Sequence, residues 1–72
     1  MELFDFEEKL TLSREDAAAH LVAIADSLAR HNQLEFKREG IRYTVDVADQ
    51  VEMEIEIEVG TDGNSLEIEI SW

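Results

Sequence analysis

The sequence predicts an α+β fold in the order β-α-β-β-β-β, a mainly antiparallel sheet with one helix packed on one of its faces. Three observations predict it. The C-terminal third alternates strictly between apolar and acidic residues. A single stretch in the first half carries a helical apolar stripe between recognisable caps. Between these lies a short segment whose apolar pattern and turn residues agree on one hairpin register.

The first strand is expected over about Leu3 to Leu12. Phe4, Phe6, Leu10 and Leu12 share one parity, and Leu3, Asp5, Glu7, Lys9 and Thr11 share the other. Glu8 breaks the apolar parity. It fits a β-bulge, a rim position or a buried functional acid, with the first two favoured because bulges and inward charges are common at sheet margins. The strand has three possible places: beside the second strand in parallel, beside the fifth, or on a partner chain.

Ser13 opens the helix. S-R-E-D is a variant of the capping box, with Asp16 at the third helical position, and Glu15 and Asp16 suit the positive end of the helix dipole. At 100° per residue Ala17, Leu21, Ile24 and Leu28 form one stripe flanked by Ala18 and Ala25, while Asp26 and Arg30 lie opposite. Arg30 and His31 fall in the last turn, and Asn32 suits a left-handed cap.

Strands two and three form a hairpin around Glu39-Gly40. That register sets Phe36 against Tyr43 and Leu34 against Val45 on one face, with Glu35, Lys37, Arg42 and Thr44 on the other. Strand three runs toward Val47, and D-V-A-D-Q is a turn or kink. Strand four alternates Val51, Met53, Ile55, Ile57 and Val59 with Glu52, Glu54, Glu56 and Glu58. Strand five alternates Leu66, Ile68, Ile70 and Trp72 with Glu67, Glu69 and Ser71. With Gly60 to Ser65 as the loop, Val59 faces Leu66, Ile57 faces Ile68, Ile55 faces Ile70 and Met53 faces Trp72. Glu58 then opposes Glu67, and Glu56 opposes Glu69.

The 72 residues make one small domain, residues 1–72. At this size only about 60% of the unfolded surface is buried on folding, so stability is marginal. No cysteine is present to add a disulfide or a thiolate metal site. No apolar run reaches the length of a membrane span and no signal peptide is evident, so a soluble, cytoplasmic protein is expected. Eighteen acids against six bases give a net charge of -12. Such a balance disfavours nucleic acid and anionic membranes as partners. A hydrophobic content of 44% with clean periodicity argues against disorder.

Like charges opposed across a ladder cost about 0.2–1 kcal/mol a pair. At molar salt the screening length falls to about 3 Å and most of that repulsion disappears. Together with only two lysines, Lys9 and Lys37, this favours a halophilic host, the alternatives being a splayed or shifted register that separates the glutamates and an acidic protein that meets a basic partner.

The N-terminal E-L-F-D-F-E-E-K, the helix start L-S-R-E-D-A-A-A and the closing L-E-I-E-I-S-W resemble the amphi-Trp domain. This is a family of small prokaryotic domains, often archaeal, named for an amphipathic strand ending in tryptophan. The resemblance spans nearly the whole chain and implies the architecture above. It implies no activity and no catalytic residues.

The residues offer little for chemistry. Ser13, Ser27, Ser65 and Ser71 have no base placed by local sequence. His20 and His31 stand about 16 Å apart along a helix and cannot share a metal. T-D-G-N-S, with Asp62 and Asn64, lacks the spacing and closing Glu of a calcium loop and reads as a turn. No catalytic, metal or cofactor-binding residues are assigned, and no cofactor is expected.

Interaction remains. A five-stranded sheet about 24 Å wide exceeds the 10–12 Å, roughly, that one helix covers. Monomers seldom leave so large an apolar patch to water. Unless the sheet curls strongly around its helix and Trp72 simply closes the monomer core, the chain reads as a non-enzymatic interaction module that self-associates as a homodimer, or binds another protein, through the apolar sheet face, with Trp72, Met53 and Ile70 on the surface. Two alternatives stand beside it. One is a nucleic-acid-associated accessory protein using the basic patch of Lys37, Arg38 and Arg42. The other is an accessory subunit of an enzyme, with His20 or Glu8 responding to ligand.

Overall fold

Ser13 starts the first regular element in the computed structural model, which describes residues 5–72. Its Oγ accepts from the Asp16 backbone N–H at 3.1 Å, and its carbonyl accepts the first helical bond from Ala17 at 2.9 Å. One orphan donor of the first turn is thereby satisfied. Helix α1 runs Arg14–His31. On its outer side Arg30 pairs with Asp26 at 2.7 Å, one turn apart. Asn32 ends it in the left-handed region, at φ 54° and ψ 25°, as its residue type suggests.

Strands β1, Gln33–Arg38, and β2, Ile41–Asp46, form the first hairpin. Leu34 faces Val45, Phe36 faces Tyr43 and Lys37 faces Arg42, the register the pattern predicts. Glu39 and Gly40 both take positive φ, 53° and 79°, as a two-residue hairpin turn of the right hand requires. Strand β2 ends at Asp46, and the Val47 N–H carries the same register one step further by donating to the Asn32 carbonyl at 2.9 Å, in line with a strand that runs toward Val47.

Strands β3, Glu52–Val59, and β4, Asn64–Ser71, form the second hairpin. Its register differs by two residues from the expected one. Ile57 faces Leu66, Ile55 faces Ile68 and Met53 faces Ile70. The loop is four residues, Gly60 to Gly63, closed by the Gly60 N–H on the Gly63 carbonyl at 3.1 Å. Gly63 sits at φ 150°, which permits this tight closure where Gly60 to Ser65 was expected to span a wider one. Parity is unchanged by a shift of two, so the apolar and acidic faces survive it.

Two corrections concern the sheet. The strands do not join into one sheet: among the described residues β1 pairs only with β2, and β3 only with β4. The expected first strand is also absent from the described residues 5–13, which carry no ladder; Leu3 and Phe4 lie outside them. An extended segment needs a partner edge for its hydrogen bonds, and none pairs with it within the chain. It is held instead by side chains. Phe6 packs on Phe36 with ring centroids 4.6 Å apart, Phe36 stacks on Tyr43 at 5.5 Å, and Arg38 donates to the Asp5 carbonyl at 3.2 Å. Glu8 lies exposed in this segment, so no bulge or rim exists there for it to mark.

Helix α1 packs along β1, whereas among the described residues the backbones of β3 and β4 stay clear of α1, β1 and β2, and the second hairpin comes near the helix only where Ile70 and Leu28 line one small cavity. No described residue is fully buried. The half-buried ones are Ser27, Leu28, Leu34, Phe36, Tyr43 and Val47, on the last turns of α1 and the first hairpin, and Ile70 of the second hairpin beside the helix end.

Candidate interaction surface

Alternation along β3 and the observed register place Met53, Ile55 and Ile57 beside Ile70, Ile68 and Leu66 on one face of the second hairpin. The other face carries the glutamates. This apolar face is open: Ile57 is 73% exposed, Ile55 60% and Met53 59%. The apolar stripe of α1 is open as well, with Leu21 and Ile24 each about half exposed.

Of the three residues assigned to the surface from sequence, Met53 and Ile70 face each other across the ladder. Ile70 is half-buried, because it meets Leu28, Asn32, Val47 and Val51 around a small cavity at the helix end. Trp72 lies just past β4, 52% exposed, beside Val51 and Gln50 in a shallow depression. It therefore extends the apolar surface at the hairpin's open end, displaced by the register shift from the place opposite Met53.

The sequence also pointed to α1, through its stripe, but as the cover of the sheet. Its availability as a surface in its own right was not legible. That depends on the second hairpin standing apart, which no local pattern encodes.

The acidic face keeps its opposed charges under the new register. Glu56 faces Glu67 and Glu54 faces Glu69, and the four carboxylates line one groove. Among the described residues no group of three or more His, Asp or Glu side chains is arranged to hold a metal ion. His31 sits near Ser27, Gln33 and Glu35, while His20 lies further up the exposed helix.

The basic patch is partly engaged. Lys37 and Arg42 are cross-strand partners, and Arg42 reaches diagonally to Glu35 at 3.0 Å. Arg38 turns to the Asp5 carbonyl. The three side chains thus do not form one free cationic face.

The size of the open surface can be judged. The chain exposes 6942 Å², whereas a compact monomer of 8.2 kDa exposes about 4,500 Å². Its radius of gyration is 14.2 Å, against about 11 Å for a compact chain of this length. No described helix is long and apolar enough to cross a membrane.

No curated protein and no solved structure gives a significant match to this chain. The family model of the amphi-Trp domain matches residues 1–72, the whole chain. The chain belongs to the amphi-Trp domain family.

Proposed function

We propose that this domain is a non-enzymatic interaction module that assembles with itself through its apolar faces. The observation that carries the reading is the excess surface. About 2,400 Å² per chain is exposed beyond what a compact monomer leaves to water. Two chains each hiding that much bury about 4,800 Å² together, within the range of obligate homodimers. Within that excess stand the exposed isoleucines, leucines, Met53 and Trp72 of the hairpin and helix faces, and large exposed apolar side chains grouped in this way suit an interface.

Two of the three basic side chains, Arg38 and Arg42, are occupied within the chain. That supports the homomeric reading over a nucleic-acid one. The opposed glutamates support a working environment of high salt, in a halophilic cell, where their repulsion is screened.

Light scattering with circular dichroism, from low salt to several molar KCl, tests the reading. The expected result is a folded species of twice 8.2 kDa at high salt. A folded monomer across the whole salt range would overturn it.

A further inference from the structure

We infer that the assembly is a reciprocal exchange, in which the β3–β4 hairpin of each copy lies on helix α1 of the other. The inference rests on the self-association reading and specifies its geometry. Both surfaces are apolar, both are open, and on one chain they approach each other only at the Leu28–Ile70 end.

Their dimensions match. Helix α1 has 18 residues and is about 27 Å long at its rise of 1.5 Å per residue. Strand β3 has 8 residues and is about 27 Å long at 3.4 Å per residue. A two-stranded ribbon with its side chains is about as wide as a helix, roughly 10 Å. One hairpin face therefore suits one helix.

The chain's own hairpin is held away from its own helix. The linker from Val47 to Val51 leaves at the C-terminal end of α1, where the Val47 N–H is fixed to the Asn32 carbonyl. Val51 and Ile70 gather with Leu28 at that same end. Beyond this pivot the hairpin departs, and among the described residues the backbones of β3 and β4 stay clear of the helix.

Exchange also accounts for both open faces. Two hairpins stacked face to face would hide Ile55 and Ile57 but leave Leu21 and Ile24 in water. Two helices paired together would leave the hairpins open. Hairpin on helix, twice, covers all four surfaces under one two-fold axis, as a self-complementary interface demands. It also keeps both glutamate faces outward, so the net charge of -12 on each copy stays in solvent.

The absence of native cysteine makes a direct test available. Two single-cysteine variants, Ile24→Cys and Ile55→Cys, are refolded separately and as a mixture in molar KCl. One carries a mass tag, and a short bismaleimide traps neighbouring thiols. The expected result is a mixed cross-link severalfold above either self-cross-link. A dominant self-cross-link of Ile55→Cys in a dimer of normal mass means a hairpin-on-hairpin sandwich; exchange then falls while self-association stands. Monomeric mass throughout sinks both. Should either variant fail to fold, isotope-filtered NMR on the unmodified sequence answers the same question. Methyl contacts from Leu21 or Ile24 of a labelled chain to Ile55 or Ile57 of an unlabelled chain are expected. Their absence from an otherwise assembled dimer overturns exchange.

Discussion

Glu56 on β3 stands directly opposite Glu67 on β4, with Glu54 opposite Glu69 one step along the same face. Two like-charged pairs thus share one groove on a chain whose acids outnumber its bases three to one. Replacing one member with lysine converts a repulsive pair to an attractive one. Glu67→Lys is expected to stabilise the fold at low salt by about 0.2–1 kcal/mol, with most of the gain gone at molar KCl. Urea titrations at the two salt concentrations check it. A gain independent of salt would remove the electrostatic account of this face.

The single tryptophan reports on assembly. Trp72 is 52% exposed in the chain alone, at the open end of the second hairpin. Its emission should move to shorter wavelength as concentration rises through the monomer–dimer transition, following the light-scattering mass. Ile57→Lys, at the centre of the apolar face, should keep the emission long and the mass monomeric at concentrations where the unmodified chain is dimeric. A buried unpaired charge is costly enough to prevent association there.

The helix depends on its N-terminal cap. Ser13→Ala removes the acceptor for the Asp16 N–H and should cost about 1 kcal/mol, while Ser13→Asp restores it. Thermal unfolding followed at the helical band separates the two. Equal midpoints for Ser13→Ala and the unmodified chain would show that this bond contributes nothing.

In the first hairpin, Glu39 occupies a left-handed position that a glutamate tolerates poorly. Glu39→Asn should raise stability by up to about 1 kcal/mol, since asparagine enters that region readily and Asn-Gly is a favoured turn of this type. Chemical denaturation measures it. Glu39→Val should do the opposite.

Phe6 holds the segment before the helix against the Phe36–Tyr43 stack. An aromatic pair contributes about 0.5–1.5 kcal/mol beyond its buried area. Phe6→Ala should release residues 5–12 and raise their cleavage rate in limited proteolysis, leaving the β1–β2 register unchanged by NMR. Unaltered cleavage would mean that the Arg38 bond to the Asp5 carbonyl suffices.

Much of this molecule is decided by rules that act over a few residues. The Ser13 cap, the Asn32 cap and the Glu39-Gly40 turn are local matters of hydrogen bonding and backbone sterics, and each is legible in the residue types. Alternation likewise settles which side chains share a face, so Met53 and Ile70 could be assigned to one surface from the sequence. Register in the second hairpin could not. A shift of two preserves every face, so the pattern is indifferent between Met53–Trp72 and Met53–Ile70, and the tight Gly60–Gly63 closure selects the latter. The division into two separate hairpins was equally out of reach, as was the lack of a ladder for residues 5–13. Those outcomes depend on which edges and faces meet through space, and period-two alternation carries no address for its partner. The sequence by itself therefore determined the helix, the two hairpins and the chemistry of their faces. Only the tertiary structure decided that the helix stripe and the second hairpin both remain open, because that is a matter of where the Val47–Val51 linker directs the chain.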